Sequence, residues 1–343
     1  MAVERKKGIK QDSGRGTRGQ CSRCGTQNQC NKCHREPAIY LHYSDVHLCR
    51  GHFIEMFEKR FRTTVRQLQL VKKGERVVVA LSGGKDSTVL MHLLAGLKKD
   101  LPFELIALTI DEGISGYRAP TISVAKHEAK KLGVRHVVLS FKREAGKTLD
   151  TLLKKNKSAS PCSYCGVIRR HLLNLGARKL QADKIAFGHN LDDICQTIFM
   201  NIIRNEPLRL VRFGEPLIED EAFVPRIRPL MRAPEREIAV YAMLKGIQID
   251  FRECPYAYSA FRQDVRRKIN ELEELYPGTK QRIFNSFVEM QKWMRKGLGG
   301  EKFFIAHCSK CGEPTAGKNS KENPGECMYC RMVGQIRGKV KQF

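Results

Sequence analysis

Residues 82–87 have the composition of a turn that binds an anion. Their order is Ser-Gly-Gly-Lys-Asp-Ser. Two adjacent glycines let the backbone approach a ligand closely, and a helix that begins after them would add free N–H groups and the positive end of its dipole. Phosphate is the anion that this combination favours. The Gly-x-x-x-x-Gly-Lys spacing of a Walker loop is absent, so the turn predicts a phosphate site of a different kind.

Thirteen cysteines are a second source of chemistry. Most of them occur in pairs separated by two residues, which in a reducing compartment indicates metal or redox chemistry rather than disulfides. Two such pairs near the C-terminus, joined by a polar loop, predict a structural zinc ribbon, because four thiolates close the coordination sphere of the ion. The predicted ligands are Cys308, Cys311, Cys327 and Cys330.

Near the N-terminus three potential ligand pairs follow one another, although one tetrahedral Zn²⁺ takes only four ligands. The pairs are Cys21 with Cys24, Cys30 with Cys33, and Cys49 with His52. We assign the N-terminal zinc to the second and third pairs, because the short apolar stretches between them can form a hairpin. The first and second pairs form the alternative site. In our assignment Cys21 and Cys24 have no role.

With seven cysteines assigned to zinc, six of the thirteen remain. Cys195 falls in a predicted helix, where a free cysteine usually packs as a small apolar residue. Cys162, Cys165 and Cys254 fall in loops that we expect at strand ends. Three thiolates can hold a [4Fe–4S] cluster and leave one iron open to an external ligand such as sulfide, whereas electron-transfer clusters use four. A cysteine pair that carries a persulfide and a third zinc site are alternatives that these residues leave open.

The elements that would position these residues alternate regularly from residue 74 onward. Apolar runs predict buried strands, and amphipathic stretches between them predict helices. The predicted strands are 77–81, 105–110, 137–139 and 185–188, and the predicted helices are 87–97, 121–132, a stretch from 148, and 192–203. This order predicts an α/β fold with a doubly wound parallel sheet. Such sheets bind ligands at the carboxyl ends of their strands, where residues 82–87, 111–114 and 188–193 would meet.

Smaller units flank the predicted sheet. Apolar residues at helical spacing predict a helix over 53–70, and two basic amphipathic helices are predicted at 259–275 and 279–296. The predicted division of the chain is a basic arm (1–28), a zinc finger (29–55), a linker helix (56–73), a catalytic domain (74–256), a basic helical region (257–300), a zinc ribbon (301–335) and a basic tail (336–343).

The charge of the chain indicates its partner. Lysine and arginine total 62 residues against 36 acidic ones, which gives a net charge of +26. An excess of this size predicts a polyanionic partner, and nucleic acid is the first candidate. No apolar run approaches the roughly 20 residues that a membrane helix needs, and the N-terminus lacks the apolar core of a secretory signal. We therefore expect a cytoplasmic protein without a membrane partner.

Taken together, these motifs resemble a known family. The turn at 82–87 is similar to the pyrophosphate loop (PP-loop) of the N-type ATP pyrophosphatases, which cleave ATP between its α and β phosphates and adenylate a substrate. The cysteine sets and the stretches 113–117, 162–166, 188–193 and 253–255 resemble the tRNA 2-thiouridine synthetases of the TtcA/TtuA family. Over nearly the whole length after residue 29, the resemblance implies ATP with Mg²⁺, two structural zinc ions and a catalytic [4Fe–4S] cluster.

The resemblance also implies roles for individual residues. The implied cluster ligands are Cys162, Cys165 and Cys254. The implied ATP contacts are Ala80, Ser82, Gly83, Gly84, Lys85, Asp86, Ser87, Ile110, Arg169 and Gly188. The implied catalytic residues are Asp193, Arg169, Lys85 and Asp86. Arg169 stands where the family has a basic residue that is often lysine, and arginine keeps the charge but changes the geometry.

Stretches 165–170, 203–209 and 224–229 are most similar to the cytosolic branch of the family, which modifies the wobble uridine. The branch implies a tRNA partner, adenylation of the uridine C2 oxygen and its replacement by sulfur. The implied sulfur donor is a ubiquitin-like thiocarboxylate or sulfide, and the implied assembly is a homodimer. Alternatives are thiolation of a T-loop uridine, a persulfide enzyme without a cluster, a different adenylating enzyme, and a non-catalytic zinc protein that binds RNA.

Overall fold

The computed structural model of the protein describes residues 29–155, 160–211, 213, 220–256, 261–297, 305–316 and 325–337. The predicted basic arm, with Cys21 and Cys24, lies outside the described residues, as does most of the predicted basic tail.

The N-terminal module is a small hairpin followed by a long helix. Strands β1 (Ile39–Leu41) and β2 (Val46–Leu48) pair antiparallel. Helix α1 (Arg50–Gln67) starts and ends about one turn before the predicted bounds. Its apolar stripe, which includes Phe53, Phe57 and Phe61, is buried against the main domain, as the 3.6-residue period of an amphipathic helix requires.

The centre of the described chain is a parallel sheet. Its strands are β3 (Arg76–Ala80), β4 (Glu104–Asp111), β5 (Arg135–Ser140), β6 (Lys184–Ala186) and β7 (Arg226–Ile227), in the order β5-β4-β3-β6-β7. All neighbouring pairs are parallel. The three valines of β3 are fully buried, because a central parallel strand is covered on both faces.

Helices cover both faces of the sheet. The helices of the main domain are α2 (Lys85–Leu97), α3 (Arg118–Lys131), α4 (Phe141–Glu144), α5 (Leu149–Lys155), α6 (Pro161–Lys179), α7 (Leu191–Ile203), α8 (Pro207–Val211) and α9 (Glu235–Lys245). Val77 and Val79 pack towards α1, α2, α3 and α9, whereas Val78 packs towards α4, α5 and α6. This is the doubly wound arrangement predicted from the sequence, and the prediction is confirmed.

Two helices and a second hairpin complete the described chain. Helices α10 (Phe261–Leu275) and α11 (Thr279–Gly297) have close to the predicted bounds, and they pack on α7. The last elements are β8 (Ile305–His307), β9 (Pro314–Ala316) and α12 (Met328–Arg337), and α12 contacts α6. Among the described helices, none is long and apolar enough to cross a bilayer.

Candidate functional site

The turn after β3 is closed by its own side chains. Ser82 and Ser87 join their hydroxyl groups at 2.9 Å, and the amide of Gly84 donates to the Ser82 hydroxyl at 3.3 Å. Helix α2 begins directly afterwards at Lys85, with Gly84 as its N-cap. The turn therefore places the free N–H groups of a helix start at the carboxyl end of the central strand, which is the arrangement of an anion site.

Two glycines are required by this geometry. Gly83 has a φ of +88°, and a Cβ there would lie 2.1 Å from the carbonyl oxygen of Thr121. Gly188, at the end of β6, lies so close to the start of α2 that a Cβ would come within 2.9 Å of the Ser87 amide nitrogen. Any other residue would displace the turn. Close backbone packing therefore requires glycine at both of these positions, which are two of the predicted ATP contacts.

Lys85 is held by two carboxylates. Its Nζ lies 3.0 Å from Asp86 Oδ2 and 2.7 Å from Glu235 Oε1. Burial alone would lower the pKa of Lys85, but the two neighbouring carboxylates raise it above its ordinary value, so the ammonium group stays charged. Arg266 of α10 also binds Glu235, at 3.1 Å.

Asp193 lies at the start of α7 in a reciprocal cap. The backbone N–H of Asp193 donates to Asn190 Oδ1 at 3.0 Å, and the Asp193 carboxylate accepts from the backbone N–H of Asn190 at 3.2 Å. Asn190 also donates to Asp86 Oδ1 at 3.0 Å, which joins the two predicted catalytic aspartates. Burial raises the pKa of Asp193 to about 6, so this carboxyl group can exchange a proton near neutral pH.

The three remaining cysteines meet near the same strand edge. Cys162 and Cys165 lie in the first turns of α6. Cys254 lies in the segment before α10, where Asp250 N contacts the carbonyl of Gly83 at 3.4 Å and Cys162 Sγ contacts the carbonyl of Tyr256 at 3.7 Å. This segment therefore links the phosphate turn to the start of α6.

The donor set of these cysteines fits an iron–sulfur cluster better than a zinc ion. Within the described residues, the N-terminal and C-terminal zinc sets each have all donor atoms within 4.8 Å of one another, and this trio is spaced more widely. The ligands of one tetrahedral zinc would lie about 3.8 Å apart, as Zn–S bonds of about 2.3 Å require, whereas a cluster is larger. Burial raises the pKa of Cys165 to about 11, so the free thiol is protonated at neutral pH.

A cavity of about 400 Å³ connects the turn and the cysteines. The predicted residues on its wall are Ala80, Ser82, Gly84, Asp86, Ser87, Ile110, Cys165, Arg169, Gly188, Asp193 and Cys254. Gly83, Lys85 and Cys162 do not line it, and Lys85 faces a neighbouring cavity of about 650 Å³ beside Glu235. The structure thus places most of the predicted ATP contacts and two of the three predicted cluster ligands around one cavity, and it places Lys85 on the other side of the turn.

Both predicted zinc sets are brought together. In the N-terminal set, the Nδ1 atom of His52 lies 3.4 Å from the sulfur atoms of both Cys30 and Cys49, and Cys33 Sγ lies 3.6 Å from Cys49 Sγ. In the C-terminal set, Cys311 Sγ and Cys327 Sγ are 3.6 Å apart. These separations fit the edges of about 3.6–3.8 Å that tetrahedral Zn–N and Zn–S bonds give, so each donor set could hold zinc.

The fold and these sites agree with comparisons to known proteins. A family model described as a PP-loop domain matches residues 55–273. The tRNA 2-thiolation protein NcsA of Haloferax volcanii is 35% identical over 318 residues, which cover 88% of this chain and 97% of that protein. The chain belongs to the PP-loop family of tRNA 2-thiolation proteins. The family predicted from the sequence motifs is confirmed.

Members of this family that modify different uridines are similarly close to the chain. The tRNA-5-methyluridine(54) 2-sulfurtransferase of Pyrococcus horikoshii is 33% identical over 300 residues, covering 88% of this chain and 92% of that protein. The solved structure of the U34-tRNA thiolase NcsA from Methanococcus maripaludis, with its [4Fe–4S] cluster, is 30% identical with a TM-score of 0.76, covering 90% of this chain and 96% of that chain. Identity alone therefore does not separate the two target positions.

The structure adds two residues that we did not predict from the PP-loop motifs. Arg118 is buried at the start of α3 and donates to the carbonyls of Ser82, at 3.0 Å, and Ile110, at 2.5 Å. Its Nε lies 2.6 Å from Glu112, which also lies 3.7 Å from the half-exposed Arg169. Glu112 directly follows a buried strand, which is a usable signal, whereas nothing in the local sequence marks Arg118.

Proposed function

We propose that the protein is an ATP-dependent tRNA 2-thiouridine synthetase that modifies the wobble uridine. The observation that carries the proposal is the shared cavity, in which the phosphate turn with Ser82 and Ser87 forms one wall and Cys165 and Cys254 lie on another. An adenylating site and a sulfur site that open into one space suit a reaction in which an oxygen is first activated and then replaced.

ATP would bind with its phosphates at residues 82–87 and its adenosine near Ala80 and Ile110. Mg²⁺ would be held by the phosphates and Asp86, since oxygen ligands from carboxylate and phosphate are its usual set. The uridine C2 oxygen attacks the α-phosphorus, the bond to the bridging oxygen breaks, and pyrophosphate leaves. Arg169, which reaches the cavity wall, stabilises the negative charge that develops on the phosphate.

Lys85 would assist the same step after a change of partner. In the structure its ammonium group is engaged by Glu235 and Asp86, so ATP phosphate has to replace Glu235 as its partner. We assign Asp193 the proton from N3 of the uracil ring, because its raised pKa of about 6 leaves it ionised but still basic at neutral pH.

Sulfur then replaces the adenylated oxygen at C2, and AMP leaves with that oxygen. Cys162, Cys165 and Cys254 would hold the [4Fe–4S] cluster. With three protein ligands such a cluster keeps one iron open, which supplies a coordination site for an external sulfur atom. The two zinc sets would be structural, since four protein ligands leave no open position on zinc.

The partners follow from the same proposal. The tRNA is the polyanion that the net charge of +26 suits, and sulfide or a ubiquitin-like thiocarboxylate would supply sulfur to a homodimeric enzyme. None of the eleven cysteines in the described ranges is in a disulfide, which fits a reducing cytoplasm. Size-exclusion chromatography with light scattering tests the dimer.

The decisive experiment is anaerobic reconstitution with iron and sulfide, followed by reaction with ATP, sulfide and tRNA. Mass spectrometry of the digested tRNA identifies 2-thiouridine and its position. We expect Cys254→Ala to lose both the iron–sulfur absorbance and thiolation, and Cys195→Ala to retain them, because Cys195 is buried on α7 away from the cavity. Thiolation by iron-free protein would favour the persulfide route, and thiolation at position 54 would favour the T-loop alternative.

A Cys254→Ala protein that keeps both the absorbance and full thiolation would overturn the assignment of the cluster. A protein that binds tRNA but releases no pyrophosphate from ATP would support the non-catalytic alternative.

A further inference from the structure

Three arginines on the wall of the central cavity have no role in the proposed reaction. They are Arg170 on α6, Arg226 on β7 and Arg228 directly after β7. Arg226 and Arg228 flank Ile227, whose side chain packs into the core on the α1 and α2 side. Because alternate residues of a strand point to opposite faces, both arginines lie on the α6 side of the sheet, where Arg170 also lies.

These arginines differ from the other cations of the site in lacking an acidic partner. Lys85 is paired with Asp86 and Glu235, and Arg118 with Glu112. In the part of the chain that the structure describes, no carboxylate lies within ion-pair distance of the three arginines, and the buried Nε of Arg226 has no hydrogen-bond partner. Partly buried charges are costly unless they are paired.

The three charges lie close enough to repel one another. Burial, with the nearby charges of Arg170 and Arg228, lowers the pKa of Arg226 to about 10. Burial, with the charges of Arg228, Arg262, Arg169 and Arg226, lowers the pKa of His189 to about 3, so this ring on the cavity wall stays neutral. A neutral histidine adds nothing to balance the arginines, and an anionic ligand would remove the repulsion.

Aromatic side chains hold two of the guanidinium groups in place. Arg226 lies over the rings of Phe223, at 4.4 Å, and Phe187, at 5.9 Å, and Arg228 lies over Phe213 at 5.0 Å. Stacking fixes the plane of a guanidinium group and leaves its edge free, and that edge can bind two phosphate oxygens at once. The pair is therefore arranged in advance for phosphate rather than for a carboxylate within the protein.

The position of these arginines favours RNA over ATP as the source of that phosphate. The phosphates of ATP have their own turn at residues 82–87. Arg170 also lies near the charge of Arg209 on α8, whose side chain is 65% exposed and is paired with Glu206 at 3.2 Å. Arginine side chains thus extend from the cavity towards the surface, where a polyanion that enters from outside would meet them first.

We propose that Arg170, Arg226 and Arg228 form a subsite for a backbone phosphate next to the target uridine, an inference that rests on the proposed function. The phosphate group would anchor the RNA strand while its base reaches Asp193 and the α-phosphate of ATP. Phosphate contacts position a nucleic acid without reading its sequence, so this subsite contributes affinity and alignment rather than selectivity for uridine.

The test compares Arg226→Gln and Arg228→Gln with Arg143→Gln, a control at an exposed arginine on α4. The probes are ATP alone and an unmodified tRNA transcript alone. We expect tRNA binding to weaken roughly tenfold or more for each cavity variant, as loss of a charge-assisted hydrogen bond implies. The slope of log affinity against log salt should fall by about 0.7 per lost contact to a single strand, and ATP affinity should stay within twofold.

A stem-loop RNA with a neutral methylphosphonate at either linkage beside the target uridine locates the contact. For one of the two linkages, the substitution should weaken binding to the wild-type protein but have little further effect on Arg226→Gln. Arg226→Lys keeps the charge and should restore part of the salt slope, and circular dichroism verifies that each variant is folded.

An unchanged salt slope in both variants would overturn the subsite. A fall in ATP affinity with normal tRNA binding would also overturn the subsite and would show that the arginines bind ATP. A third outcome separates this subsite from the proposed function. If the variants show the expected decrease in salt slope but the wild-type protein forms no 2-thiouridine on the tRNA that it binds, the proposed function fails and the phosphate subsite stands.

Discussion

Replacing Arg118 by methionine should damage the protein more than any similar change at its surface. The Arg118 side chain is 6% exposed, and it joins the carbonyls of Ser82 and Ile110 to the carboxylate of Glu112. Methionine fills similar space but provides no donors. The variant therefore leaves the buried Glu112 carboxylate, the buried Ile110 carbonyl and the partly buried Ser82 carbonyl without this partner.

The expected cost follows from these contacts. Removing one partner of a buried ion pair costs about 3–5 kcal/mol, because the other charge is left uncompensated. Arg169 lies 3.7 Å from Glu112 and is half exposed, so it compensates the Glu112 charge only in part, and we expect a loss near the lower end, about 3 kcal/mol. The double variant Glu112→Gln/Arg118→Met should recover about half of this loss, since a neutral amide is cheaper to bury than a carboxylate.

Urea unfolding followed by far-ultraviolet circular dichroism measures the change, with Arg135→Met at the exposed start of β5 as the control. Because Arg118 also fixes the carbonyl of Ser82, ATP affinity of the folded variant should fall in parallel. If Arg118→Met were as stable as the control, or if the double variant were less stable than Arg118→Met, the pairing of Arg118 with Glu112 would not be what stabilises this part of the fold.

Three further outcomes are expected. Glu235→Gln should tighten ATP binding severalfold in isothermal titration calorimetry, because Lys85 no longer has to leave a 2.7 Å ion pair; weaker binding would show that Glu235 supports Lys85 instead of competing for it. Thiolation should rise as the pH increases from about 5 to 7, since Asp193 has a pKa raised to about 6 and must lose its proton to act as a base, and Asp193→Asn should give a low, flat profile. Glu313→Leu should reduce thiolation while the zinc content stays constant, because leucine has no oxygen to accept the hydrogen bond from Asn174 of α6 at 2.9 Å or to contact His171; the same change at the ribbon residue Glu326 should leave activity intact.

The elements that could be predicted are those whose pattern is local. Val77–Val79 form a buried apolar run before two glycines, and α7 begins at an asparagine cap with two acidic residues in its first turn, so strand, turn and helix signals agree. The strand β7 could not be predicted, because it has only two residues and consists of Arg226 and Ile227. Its place in the sheet is decided by pairing with β6 and not by its own composition.

In the candidate site, too, the features set by local sequence could be predicted and those set by long-range contacts could not. Spacing predicted the two four-residue donor sets that the fold brings together and the glycine turn after β3, because ligands two residues apart and adjacent glycines follow directly from local geometry. Arg118 was missed because its partners, Ser82 in the turn after β3 and Ile110 in β4, meet only in the folded sheet. The sheet also decides that Lys85 faces Glu235, which is 150 residues away in the chain, and not the cavity.

The contact between the C-terminal ribbon and α6 has a consequence for how the chain folds during its synthesis. Helix α6 carries Cys162 and Cys165 at its start, and further along it His171 stacks on Tyr329 of α12 at 3.6 Å and contacts Glu313. His171 and Glu313 are 142 residues apart in the chain. At a synthesis rate of about 5–20 residues per second, Glu313 follows His171 by roughly 7–28 s. During translation, the side of α6 that carries His171 therefore stays exposed until the ribbon has been synthesised, so the ribbon completes the packing of the helix that begins at Pro161.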